Sequence, residues 1–240
     1  MGTGLNMISE ERWRRAQEVE AENWRGSGRD VVRFLYELVE HSEVAVPLDS
    51  ILRGKQSLRA IEVGIGPLGI GFLAAYTNRY LSAIMGVEPL PIQELALPDR
   101  SLDTYAKGLR SNVTIMNGRG ESLPFRDGSF DIACCINVLD HSKDSETVIS
   151  EISRVLKKGG IYVCGVNTLS HLGRFKWKIV RTMRPNDPNF IAHPFTYYWS
   201  RVNKKLTSAP WARTLWDNKP SFLKRVAGHG RMAFWIVTKG

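Results

Sequence analysis

The sequence predicts an α/β fold, a doubly wound and mostly parallel sheet with helices on both faces. Three observations carry this. Residues 60–69, Ala-Ile-Glu-Val-Gly-Ile-Gly-Pro-Leu-Gly, read as a buried strand that turns sharply on Gly64, Gly66 and Gly69. Apolar strand-like runs then alternate with amphipathic helical ones as far as residue 166. At 240 residues the chain can bury a substantial core, and no apolar run is long enough to span a bilayer.

The elements follow in order. A helix is expected over 10–25, with Trp13, Ala16, Gln17, Glu20 and Trp24 near one face. Gly26, Ser27 and Gly28 break it, and a second helix over 30–41 turns Val31, Phe34, Leu35 and Leu38 inward. Residues 1–50 thus form an N-terminal helical segment that packs at the sheet edge or acts as a lid. The main domain is 51–240. Its first strand is 57–63 and its helix 68–79, whose N-terminal N–H groups are expected to be free for a ligand. The second strand, 81–87, ends at Glu88 and Pro89. A helix over 99–109 and a third strand over 112–116 precede the turn at 117–125. The fourth strand, 132–138, closes on Leu139, Asp140 and His141. A helix over 145–156 is capped by Gly159 and Gly160, and 161–166 is the fifth strand.

Beyond it, a basic helix over 171–184, a turn at 184–188 and a helix opened by His193 form an insertion at about 167–220. Strands at 221–226 and 232–238 are expected to close the chain as an antiparallel hairpin. Between His171 and Arg225 twelve Lys or Arg face only Asp187 and Asp217, so the net charge of +9 resides in this segment. Cys134, Cys135 and Cys164 lie in strand-like runs and read as reduced core thiols. The polar start resembles no targeting peptide, which points to a cytoplasmic protein.

Ligands of such sheets gather at the carboxyl ends of the strands, where Gly64, Glu88, Glu121 and residues 137–141 fall. Glu62, two residues before the first glycine, repels a pyrophosphate and attracts a ligand with a cationic amine, favouring S-adenosylmethionine over NAD. Glu88, some twenty residues past the glycine turn, is placed to accept ribose hydroxyls.

Taken together, the blocks resemble a class I S-adenosylmethionine-dependent methyltransferase, closest to the ubiquinone- and menaquinone-biosynthesis group (methyltransferase type 11). The likeness rests on Ile61-Glu62-Val63-Gly64-Ile65-Gly66, Val87-Glu88-Pro89, the run Gly120-Glu121-Ser122-Leu123-Pro124-Phe125 with Ser129-Phe130-Asp131, and Arg154-Val155-Leu156-Lys157-Lys158-Gly159-Gly160. It implies a Rossmann-like seven-stranded sheet of order 3-2-1-4-5-7-6. It also implies that Glu62, Gly64, Ile65 and Gly66 hold the methionine part of the donor, and that Glu88 and Pro89 hold the ribose. Gly120 and Glu121 would border the adenine, Asn137 the methionine, and Asp140 or His141 the mouth. Arg119 departs from the family, which carries an acid there. The product would be S-adenosylhomocysteine.

A hydroxyl acceptor needs a general base, and His141 and His193 are the candidates. No metal-ligand cluster is apparent, and no metal is expected. The basic, aromatic-rich insertion suits a small or lipid- or glycan-linked anionic acceptor. It also suits peripheral contact of 171–184 with the inner membrane face, or RNA, or it merely solubilises an aromatic cap. A partner protein that binds the cofactor without catalysis is the remaining alternative.

Overall fold

The computed structural model describes residues 7–25, 29–94, 97, 99–227 and 230–240, with 29–40 described in backbone alone. Two helices lead, α1 (Glu10–Trp24) and α2 (Arg29–Leu52). There follow β1 (Leu58–Val63), α3 (Phe72–Thr77), β2 (Leu81–Glu88), α4 (Arg100–Ser111), β3 (Val113–Asn117), β4 (Phe130–Ile136), α5 (Ser145–Val155) and β5 (Leu156–Thr168). The last part holds α6 (His171–Met183), α7 (Pro188–Ala192), α8 (Trp199–Leu206), β6 (Trp211–Asp217), α9 (Phe222–Ala227) and β7 (Arg231–Lys239).

The seven strands form one sheet of order β3-β2-β1-β4-β5-β7-β6. All pairs are parallel except β5–β7 and β6–β7. Alternation along the strands sends side chains to two cores. Val148, Ile149 and Ile152 of α5 and Trp199, Val202 and Leu206 of α8 cover one face, with Trp235 fully buried among them. Val44, Leu48 and Leu52 of α2 and Phe72 and Leu73 of α3 cover the other, against Phe234 and Ile236. The C-terminal half of α2 therefore packs on a sheet face, not at an edge. The expected inward side chains at 31–38 and the break at 26–28 lie outside the described residues. All three cysteines are free and buried, and burial pushes their thiols up. Among the described residues no helix is long and apolar enough to cross a membrane.

Four expectations are corrected. The first crossover helix starts at Phe72 and not at 68, because left-handed glycines continue from Gly64, Gly66 and Gly69 to Gly71. At the end of α5, Leu156 is already extended and pairs with Phe130, so Gly159 turns left-handed inside β5 and does not cap the helix. His193 ends α7 where a helix start was expected. Asp187 caps that helix by accepting from Asn189, with Pro188 at its first position. The partner of the last strand is Trp211–Asp217, and 222–227 is helical. Trp211 explains the choice, being buried against Tyr162 with ring centres 5.1 Å apart, whereas Phe222 and Leu223 remain exposed.

Candidate active site

The carboxyl ends of β1, β2 and β4 open into a cavity of about 820 Å³. Its floor is the glycine turn, and neighbouring side chains pack tightly on the glycines around it. A β-carbon on Gly64 would come within 2.2 Å of Val138 Cγ2, and one on Gly120 within 2.8 Å of Val63 Cγ1. Asn137, left-handed at φ 57°, ends β4 beside the turn; its N–H donates to Gly165 O and its Oδ1 accepts from Asn167.

Glu62 is buried at 4% exposure and lines the cavity, but its oxygens are used by the fold. Oε1 accepts from Phe72 N–H at 2.7 Å and Oε2 from Leu73 N–H at 2.9 Å. The N-terminal N–H groups expected to await a ligand are therefore satisfied by the protein's own carboxylate. Glu88 ties the next block to the turn. Its Oε2 accepts from Gly66 N–H at 2.8 Å and its Oε1 from Leu90 N–H at 3.0 Å. Burial outweighs these two bonds and raises its pKa to about 7. Glu121 accepts from Lys143 and Asp144 N–H groups and so pins the loop after β4. Ile65 and Pro89 line the cavity too, though the Ile65 side chain packs back on Gly71 and Gly86.

Asp140 departs from expectation. Fully enclosed, it lies behind the cavity wall and accepts from His193 Nδ1 at 3.1 Å. Burial opposes its charge, yet the two neighbouring imidazoles hold the carboxyl below its usual range. His141 and His193, distant in sequence, meet with ring centres 4.2 Å apart, and both line the cavity. His141 Nδ1 donates to Ala192 O at 3.0 Å. His141 Nε2 in turn lies 4.0 Å from Asp140 Oδ2, so the carboxylate sits between the two rings. With Glu20 they bring ligand-type atoms within 4.8 Å of one another, a spacing that a divalent ion could bridge and that the sequence did not reveal.

Helix α1 covers the opening with Trp13, Gln17, Glu20, Asn23 and Trp24. Arg119, the family departure, secures it: the guanidinium bonds Glu10 at 2.8 and 3.1 Å and lies 3.8 Å from the Trp13 ring centre. Arg12 donates to Phe190 O and Ile191 O of α7. His41 joins the lining, and burial lowers its pKa to about 4. Glu20, His41 and Asn167 were not singled out as ligand-facing, since their neighbours appear only once the chain is folded. The four carboxylates Glu20, Glu62, Glu88 and Glu121 face a lining whose guanidiniums, Arg119 and Arg231, are paired with Glu10 and Glu43.

Residues 61–164 match the family model described as a methyltransferase domain. The 24-methylenesterol C-methyltransferase 2 of Oryza sativa subsp. japonica is 28% identical over 142 residues, covering 59% of this chain and 35% of that protein. The methyltransferase YcgJ of Bacillus subtilis is 33% identical over 106 residues, covering 44% and 39%. Its crystal structure superposes with a TM-score of 0.56 at 20% identity, over 83% of this chain and 100% of that one. Geranyl diphosphate C-methyltransferase from Streptomyces coelicolor, solved with Mg²⁺, geranyl diphosphate and S-adenosylhomocysteine, gives 0.55 at 14% identity over 83% and 77%. The two structural likenesses bear on the fold alone, and the chain spans under half the length of these two curated relatives. Residues 61–164 are thus similar to a methyltransferase domain, and the sheet has the 3-2-1-4-5-7-6 strand order that the resemblance to class I S-adenosylmethionine-dependent methyltransferases implies.

Proposed function

We propose that the chain transfers a methyl group from S-adenosylmethionine to a small or lipid- or glycan-linked anionic acceptor. One observation carries the choice of donor: Glu62 already fills the N-terminus of α3, and three further carboxylates line the cavity. Such a lining favours a ligand bearing sulfonium and ammonium charges and disfavours pyrophosphate. The glycine turn, with Gly64 and Gly66 left-handed and lining the cavity without side chains, fits a ligand lying close on the backbone.

In this reading Gly64, Gly66 and Asn137 flank the methionine part, Glu88 receives the ribose hydroxyls, and Gly120 and Glu121 border the adenine. Glu62 acts through its charge and by holding the turn. Helix α1 is the lid that excludes water, with Trp13 and Trp24 over the bound donor. When bound, S-adenosylmethionine supplies an activated methyl group for in-line displacement. The protein supplies alignment and desolvation. For a hydroxyl acceptor His193 Nε2 takes the proton, with Asp140 fixing the ring through Nδ1. His141 stands beside it as a second polar wall. Affinity for an anionic group comes from Lys224 and Arg225 of α9, which line an adjoining pocket beside Tyr198 and not the carboxylate-lined cavity.

The test is a calorimetric titration with S-adenosylmethionine and with NAD, followed by mass spectrometry of a metabolite extract incubated with labelled donor. Uptake of S-adenosylmethionine and a labelled anionic product are expected. Preference for NAD, or label confined to RNA, would overturn the reading.

A further inference from the structure

Helix α6 presents its faces the opposite way round from a helix resting on a core. Arg174, Trp177 and Arg181 are half-buried on the side toward the body. Trp177 meets Phe190 edge to face at 5.0 Å, Arg174 lies 4.6 Å from the Tyr198 ring centre, and Arg181 lies 5.0 Å from that of Trp177. Its apolar stripe of Leu172, Phe175, Ile179, Val180 and Met183 faces solvent, with Phe175 63% and Met183 75% exposed. Helix α9, packed beside it, likewise exposes Phe222, Leu223 and Val226. Amphipathic surface helices ordinarily bury such a stripe, so two adjacent helices that expose theirs mark a surface with a partner.

Charge selects the partner. Lys176, Lys178 and Lys224 are exposed around the stripe, and residues 171–184 contain no acid. A second copy docking on the same face would set these cations against one another. An anionic bilayer meets both needs, since acyl chains receive the apolar side chains while headgroups receive the lysines. We propose that α6 and α9 together form a docking face for an anionic lipid bilayer. Trp177 packs edge to face on Phe190 and takes no part.

The placement also bears on the acceptor. A second cavity of about 340 Å³, lined by His171, Tyr198, Phe222 and Arg225, opens beside this face. It shares Gly230 and Arg231 with the site cavity. A docked molecule therefore presents to the membrane the side on which a lipid-borne acceptor would enter. The docking goes beyond methyl transfer and is read without turnover, so either can fail alone.

The experiment is flotation of the full chain with vesicles of phosphatidylcholine, and of phosphatidylcholine with about one part in three of phosphatidylglycerol. Binding to the second and not the first is expected. Ile179→Glu combined with Leu223→Glu should lower partitioning by about tenfold or more, with melting temperature and S-adenosylmethionine affinity unchanged. Lys176→Glu with Lys178→Glu should weaken it as well, which guards against a folding defect in the first pair. No binding to anionic vesicles, or equal binding by the Ile179 and Leu223 variant, would overturn the proposal. So would light scattering that shows this face closing a dimer, or tighter binding to tRNA than to vesicles.

Discussion

His193 Nδ1 donates to the buried carboxylate of Asp140 at 3.1 Å, and this pair joins the end of β4 to the cap segment. An ionised Asp140 fixes the tautomer with the proton on Nδ1, which makes Nε2 the nitrogen able to take a proton in the proposed reaction. His193→Gln is expected to lower kcat by about 100-fold on a hydroxyl acceptor, with little change in donor affinity. Asp140→Asn should cost a comparable amount, and the double variant little more, because the two act as a unit. The acid limb of the pH–rate profile should vanish with His193→Gln. A profile that keeps this limb would show that the base lies elsewhere.

Glu88 is expected to make the protein, and the donor site proposed for it, pH-sensitive. Its folded pKa of about 7 stands above the ordinary 4.5, so between these values the folded state holds a proton that the unfolded state has lost. Stability is therefore full below pH 4.5 and falls as pH rises toward 7, by roughly 3 kcal/mol from this group. Urea unfolding at pH 5 and 7.5 should show the slope, and Glu88→Gln should flatten it. Ribose hydroxyls favour the ionised carboxylate, so donor binding near pH 6.5 should release protons. Calorimetry in two buffers of different ionisation enthalpy measures this.

Arg119 is expected to govern how firmly α1 closes. Its bond and that of Lys143 draw the Glu10 pKa down to about 2, and its stack on Trp13 aligns the aromatic face of α1 with the cavity. Arg119→Ala should speed tryptic cleavage at Arg14 and Arg15 and weaken donor binding by about tenfold. Exchanging the charges, Glu10→Arg with Arg119→Glu, should restore much of the protection. Unaltered cleavage in Arg119→Ala would mean that Arg12 and the α7 carbonyls hold the helix alone.

Most of the sheet was legible because its signals are local. The glycine turn, the acid ending β2 and the apolar β4 each announce themselves within ten residues, and the parallel order follows from their spacing. What was not legible depends on distant partners. Glu62 looked like a ligand group since sequence cannot show that Phe72 and Leu73 N–H groups turn back to it. Arg119 looked like a defect because Glu10 and Trp13 lie more than a hundred residues away. Residues 222–227 have strand-like composition, but Trp211 fits against Tyr162 and takes the strand position. The expected place of Asp140 at the mouth misses its burial, because its bond to His193 crosses 53 residues of chain.

Glu20, His141 and His193 are close enough to hold a divalent ion, whereas base catalysis requires His193 Nε2 to be open. Turnover is therefore expected to survive dialysis against a chelator unchanged. Added zinc should inhibit by bridging the trio, and Glu20→Gln should relieve that inhibition. Loss of activity on chelation with recovery on readdition would assign the trio to a metal instead.

Glu62 tests the donor site and the fold at once, and its two functions separate by variant. Removing the carboxylate strands two buried N–H groups, each costing about 1–3 kcal/mol, so Glu62→Ala should lose several kcal/mol in urea unfolding. Glu62→Gln keeps one acceptor for Phe72 or Leu73 and should lose about half as much. Neither retains the negative charge, so both should weaken S-adenosylmethionine binding to a similar degree despite their different stabilities. If affinity instead tracks stability across the two, Glu62 serves the donor only by shaping the glycine turn. The selective field then belongs to Glu20, Glu88 and Glu121.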